Sequence, residues 1–178
     1  MKIDTTKLKQ GDIISVRNPT SHYGMLIRCI LGSYTNHNGL IIKRYERWYI
    51  GEAVPPRSKL TTITEYEESK YIIRIWRVDG LTDQERDAIN QYFLDNCIGV
   101  KYPISVYRLW IYRFVNNLPW TIEGEWCSAL VRKAIEAIVP RILDNPQHKT
   151  KINFTPRTFE NRLVAGVIRD ITDEVCIP

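Results

Sequence analysis

Long apolar runs are missing from this 178-residue chain: its greasiest stretch, Ile104 to Val115, is broken by Arg108 and Arg113. A membrane-spanning helix needs about 18 or more apolar residues in succession, so none is expected. The opening segment, Met1-Lys2-Ile3-Asp4-Thr5-Thr6-Lys7, lacks both the apolar core and the small-residue cleavage site of a secretory signal, and the expected location is the cytoplasm. Cysteine is sparse, and Cys29, Cys97, Cys127 and Cys176 contain no Cys-x-x-Cys pair. That spacing argues against zinc ribbons and thioredoxin-type motifs, and a reducing compartment argues against disulfides. Nine glycines and nine prolines are too few for a low-complexity chain, and no glycine-rich loop leads into a helix as a phosphate cradle would.

A block of like charge is also missing. The 25 Lys and Arg against 20 Asp and Glu leave a net +5 spread along the chain. The densest basic region, with Arg141, His148, Lys149, Lys151, Arg157 and Arg162, has no accompanying nucleic-acid motif, which argues against that partner. Three histidines and four cysteines without metal-ligand spacing lead to the expectation that neither a metal nor another cofactor is bound. The oligomeric state stays open.

What is present reads as an ordinary globular composition, 44% hydrophobic and 25% charged, with no internal repeat or linker, so one domain spanning residues 1–178 is expected. Gly11-Asp12 leads into a strand at Ile13–Val16, and Asn18-Pro19-Thr20-Ser21 supplies turn chemistry before a helix from Tyr23 to Leu31 that Gly32 ends. His37–Lys43 and Arg47–Val54 read as neighbouring strands stopped by Pro55-Pro56, and Tyr71–Val78 alternates as a half-buried strand. Thr82-Asp83-Gln84-Glu85 is a capping box that opens a helix with Ala88, Ile89, Tyr92, Phe93 and Cys97 on one stripe. An aromatic helix over Ile104, Tyr107, Ile111 and Phe114 follows, then one from Cys127 to Ile138 ended by Pro140. The tail offers a loop at Asn145-Pro146, a short helix after Thr155-Pro156 and an apolar segment from Val164 to Ile171. Early strands and late helices argue for an α+β fold over alternating β-α-β units.

Chemistry points first to Cys127. A thiol at a helix start sits in the partial positive charge of the N-terminal N–H groups, which favours thiolate. The same residue is in phase with the apolar stripe of its helix, so a core cysteine is the alternative reading. A cysteine nucleophile needs a base, and among the histidines His22 and His148 fall in exposed contexts while His37 opens a strand. A third group must orient the imidazole. Glu52, on the strand after the one that carries His37, qualifies, its alternative being an ordinary exposed strand carboxylate.

Gly11-Asp12-Ile13-Ile14, Ser21 to Leu31, Gly32-Ser33, Asn36-His37-Asn38-Gly39-Leu40-Ile41, Gly51-Glu52-Ala53, Gly99-Val100-Lys101-Tyr102 and Cys127-Ser128-Ala129-Leu130-Val131 occur in this order over most of the chain. In that order they resemble the circularly permuted NlpC/P60 proteins, the YiiX-like branch of papain-like cysteine hydrolases. The resemblance implies a permuted papain-like fold with an antiparallel sheet packed against helices. The histidine strand then precedes the cysteine helix, as His37 precedes Cys127 by 90 residues here. It further implies Cys127 as nucleophile, His37 as general base and then acid, and Glu52 as the residue that orients His37. The implied substrates are a cell-wall peptide or related amide, or a lipid acyl group, cleaved through a thioester acyl-enzyme. The family often has Ser-His-Val-Gly, Cys-Ser-Glu-Leu and Tyr-Asp where this chain has Asn36-His37-Asn38-Gly39, Cys127-Ser128-Ala129-Leu130 and Tyr102-Pro103. These departures spare the three proposed catalytic residues and fall where substrate contacts would lie. Trp110, Tyr107 and Phe114 could line an acyl pocket or simply fill a core. A non-catalytic module that binds peptide, glycan or lipid headgroup in the same cleft is the contrasting reading.

Overall fold

The structure is a computed structural model that describes residues 1–102, 127–140 and 168–177. Its centre is a six-stranded sheet of order β5-β4-β3-β2-β6-β7. The strands are β2 (Ile13–Arg17), β3 (His37–Arg44), β4 (Arg47–Glu52), β5 (Lys59–Thr62), β6 (Ile72–Val78) and β7 (Ile168–Asp170). Every neighbouring pair is antiparallel. A separate two-stranded pair joins β1 (Lys2–Ile3) to β8 (Cys176–Ile177) near the two chain ends. The helices are α1 (His22–Leu31), α2 (Ile63–Glu67), α3 (Asp83–Asn96), α4 (Cys127–Ile138) and α5 (Thr172–Val175). This is an α+β architecture, with antiparallel strands packed against helices. The expected aromatic helix over Ile104–Phe114 and the tail features at Asn145-Pro146 and Thr155-Pro156 lie outside the described residues.

Local chemistry explains the element ends. Ser21 caps α1 by accepting from the Gly24 N–H, and Gly32 closes it at φ 61°, a left-handed position that glycine adopts without a Cβ penalty. Thr82 and Glu85 form the expected capping box at α3, and Thr62 and Glu65 form a second one at α2. Tyr45 and Glu46 join β3 to β4 with φ of 49° and 59°, the handedness that a two-residue hairpin needs. The turn sets the register: Arg44 faces Arg47 at one end of the hairpin and Gly39 faces Glu52 at the other.

Strand alternation divides the core in two. Ile13, Leu40, Ile42, Trp76 and Val78 face α3 and α4, meeting Ile89, Phe93, Leu130, Val131, Ala134 and Ile135. Ile14, Val16, Ile41, Ile50, Ile73 and Ile75 face the other way, toward Ile63 and Tyr66 of α2, Val175 of α5, and Ile3 and Leu8. Asp12, fully buried, accepts from Arg77 through both oxygens, at 2.9 Å from Nε and 2.6 Å from Nη2. Arg86 of α3 donates to Gln10 O at 3.0 Å and Val78 O at 2.8 Å, tying that helix to the strand ends.

Candidate active site

The candidate residues converge where β3 begins and β4 ends. His37 is the first residue of β3, on the face shared with Ile41, and Glu52 is the last of β4, on the face shared with Ile50. Because Glu52 pairs with Gly39, two residues along from His37, the two side chains are diagonal neighbours on one face. His37 Nε2 lies 2.5 Å from Glu52 Oε2. Glu52 is 3% exposed and accepts two further hydrogen bonds, from the Thr61 hydroxyl of β5 and the Tyr66 hydroxyl of α2.

Cys127 comes from the opposite layer, at the first position of α4, and is 7% exposed. Its sulfur is hydrogen-bonded to the His37 ring and also receives the backbone N–H groups of Asn38 and Ser128. Since Nε2 is engaged by Glu52, Nδ1 is the ring nitrogen left to face the sulfur. The structure therefore brings together Cys127, His37 and Glu52. It leaves His22 exposed on α1, while His148 lies outside the described residues.

The electrostatics follow from this wiring. Burial alone would push the Cys127 thiol up, but the charge on His37, its hydrogen bond and the two N–H groups outweigh it and hold the thiol below its ordinary value. Burial alone would lower His37; the adjacent Cys127 and then Glu52 reverse that, and its pKa is raised to about 10. For Glu52, burial is likewise outweighed, by the hydrogen bond and charge of His37 and by the two hydroxyls, so that its pKa falls to about 2. Burial first, and then the charge on Glu52, raise Tyr66 well above the ordinary phenol value, so its hydroxyl remains a donor. Each shift runs toward the charged form: thiolate at Cys127, imidazolium at His37 and carboxylate at Glu52.

Sequence reasoning missed Thr61, Tyr66 and the Asn38 N–H. The second capping box, Thr62-Ile63-Thr64-Glu65, was the available signal for the element that carries Tyr66. Nothing local marks Asn38 as a donor to sulfur.

A cavity of about 470 Å³ opens beside His37 and Glu52, lined also by Ile27 of α1, Val54, Lys59 and Tyr66. That volume suits a small organic group. His37 lines it and Cys127 does not, so the sulfur meets the cavity through the imidazole.

No family model and no curated protein matches the chain. Among solved structures, the metalloprotein YiiX from Escherichia coli O157:H7, a DUF1105 protein, aligns with a TM-score of 0.57 over 89% of this chain and 84% of that one, at 21% identity. The fold is YiiX-like. This likeness corrects the expectation that no metal is a partner, because a protein with the YiiX-like fold is described as a metalloprotein. Ligand spacing in a sequence detects only ligands close together along the chain, whereas a fold can gather donors from distant positions. Cys127, His37 and Glu52 do not form such a donor set as they stand. Both Glu52 oxygens accept hydroxyl or imidazole protons and His37 Nε2 is committed to Glu52, so these groups are wired to one another. Among the described residues, no group of three or more His, Cys, Asp or Glu side chains could hold a metal ion. Also among them, no helix is long and apolar enough to cross a membrane.

Proposed function

We propose that this protein is a cysteine hydrolase of the permuted NlpC/P60, papain-like type, acting on an amide or acyl bond through a thioester acyl-enzyme. The observation that carries the reading is the continuous contact from Glu52 through His37 to Cys127, which spans two strands and the start of a helix. A structural cysteine has no need of a half-buried, carboxylate-backed imidazole.

In this reading the Cys127 thiolate attacks the substrate carbonyl carbon, forming a C–S bond and moving the carbonyl electron pair onto oxygen. The Cys127 backbone N–H at the start of α4 would stabilise that oxyanion, a contribution of about 3 kcal/mol per donor in assembled sites. Collapse expels the amine or alcohol, which takes its proton from His37. Neutral His37 then accepts a proton from water as the water attacks the thioester, and the acid leaves with Cys127 again a thiolate. Glu52 touches no reacting atom; it is a positioning residue that holds the ring and favours its charged form.

The test is the iodoacetamide alkylation rate of each cysteine against pH, in the unmodified protein and in His37→Ala, followed by turnover of peptide and acyl-ester substrates. Cys127 is expected to react far faster than Cys29, Cys97 and Cys176 near pH 6. In His37→Ala that rate should fall about a few hundredfold, the factor separating a full thiolate from a free thiol of pKa about 8.5 at that pH. A Cys127 that titrates as a free thiol with or without His37 would overturn the hydrolase and leave a binding module.

A further inference from the structure

Two arginines of the central sheet have no acidic partner among the described residues. Arg17 ends β2 and Arg74 lies in β6, and both guanidinium carbons sit 4.8 Å from the centre of the Tyr34 ring. Arg74 also lies 5.9 Å from the Trp76 ring. Arg17 Nε is buried without a hydrogen-bond partner among the described residues. A third guanidinium, Arg28 of α1, donates to neutral oxygens among the described residues, Asn18 O at 3.3 Å and Asn36 Oδ1 at 3.4 Å. Like charges gathered on one aromatic ring, with a buried N–H left over, are costly until an anion accepts from them.

Their position ties them to the chemistry. Ser15 pairs with Asn38 on one side and with Arg74 on the other, and Arg17 follows Ser15 on the same face. Asn38 is the residue whose N–H reaches the Cys127 sulfur. Arg74 and Asn38 are thus two strand spacings apart, about 10 Å along the sheet. Ser15, Arg17, Arg74 and Trp76 share the face that α4 covers, whereas the cavity beside His37 lies on the other side of β2.

We infer that Arg17 and Arg74, braced by Tyr34, form a subsite for a phosphoryl group of the substrate. Two guanidinium forks match the several oxygens and double negative charge of a phosphate monoester, where one fork would satisfy a carboxylate. The inference rests on the hydrolase reading for its distance to Cys127, but the binding itself does not. The phosphoryl group could belong to a lipid headgroup or to a soluble ester.

Isothermal titration of hexyl phosphate, with hexanol as the uncharged control, tests the subsite in the unmodified chain, in Arg17→Gln/Arg74→Gln and in Cys127→Ala. The unmodified chain and Cys127→Ala should bind hexyl phosphate alike, and the double glutamine variant at least about tenfold more weakly, with hexanol bound by none. Arg17→Lys/Arg74→Lys, which keeps both charges and protects the fold, should still bind several-fold more weakly because the forks are gone. Hexyl phosphate that fails to bind the unmodified chain, or that binds all variants equally, overturns the subsite. Sedimentation with phosphatidylcholine vesicles containing phosphatidic acid distinguishes the source. Arg-dependent vesicle binding assigns a lipid headgroup, and binding of hexyl phosphate alone assigns a soluble ester. If Cys127 proves inert to alkylation while Arg-dependent binding persists, the hydrolase reading falls and the phosphoryl site stands.

Discussion

Glu52 receives His37 Nε2 at 2.5 Å while it also accepts from the Thr61 and Tyr66 hydroxyls, so the carboxylate that orients the imidazole is itself held from two other elements. A buried carboxylate with three donors stays charged, and after Cys127 it is the second group that keeps His37 protonated against burial.

The first prediction concerns that charge. Glu52→Gln keeps the shape and removes the negative charge, so His37 should titrate about 1–3 units lower than its present value of about 10. The thiolate fraction of Cys127 falls with it above the lowered His37 pKa, because the imidazolium that stabilises the sulfur is then lost earlier as pH rises. Nuclear magnetic resonance of the ring protons reads the first effect and thiolate absorbance the second. An unmoved His37 titration would mean that Glu52 has no hold on the ring.

The second concerns the outer donors. Tyr66 and Thr61 are 6% and 5% exposed, so Tyr66→Phe or Thr61→Val leaves a buried carboxylate one donor short. Hydrogen bonds to charged groups contribute about 1.5–3 kcal/mol, and each variant should lose stability of that order in urea unfolding. Each should also raise Glu52 from about 2 toward its ordinary 4.5. A loss of stability without any movement of the Glu52 titration would make these hydroxyls packing groups only.

The third follows from linkage. Glu52 has a lower pKa folded, about 2, than its ordinary 4.5, so the folded state binds its proton less readily than the unfolded chain does. Its contribution to stability is complete above pH 4.5 and disappears as pH falls through about 2. Urea midpoints measured from pH 6 downward should therefore fall in that window, and the fall should be shallower in Glu52→Gln. Identical acid profiles for the two proteins would assign acid sensitivity to other carboxylates.

Much of this arrangement was legible in the residues. Turn residues bounding apolar or strand-like runs located β2, β3 and β4, alternation located β6, the Thr82–Glu85 capping box located α3, and the i, i+3, i+4 stripe from Cys127 to Ile138 located α4 at the same bounds. The short connection between His37–Lys43 and Arg47–Val54 made these strands neighbours, which put Glu52 on the strand next to the one that carries His37. What was not legible is non-local or too short to show a period. The pairing of Lys2–Ile3 with Cys176–Ile177 joins opposite chain ends, and Lys59–Thr62 spans too few residues to announce a strand. Thr61 and Tyr66 were missed for that reason, and so were Arg17 and Arg74, whose approach to one ring depends on β2 lying beside β6.

The last prediction separates the two faces of the same hairpin. A Cβ on Gly39 would lie 2.4 Å from the Ile50 side chain and 3.2 Å from Gly51 O, on the face that carries His37 and Glu52. A Cβ on Gly51 would lie 2.4 Å from the Phe93 ring, on the face under α3. Overpacking costs about 1–3 kcal/mol in either place, so both Gly39→Ala and Gly51→Ala should unfold at lower urea. Only Gly39→Ala should alter the chemistry, because relief there must move β3 against β4 and lengthen the 2.5 Å contact between His37 and Glu52. The rate of Cys127 alkylation near pH 6 is expected to fall in Gly39→Ala and to hold in the folded fraction of Gly51→Ala. Equal effects of the two variants on that rate would show that the thiolate depends on general rigidity rather than on the registration of these two strands.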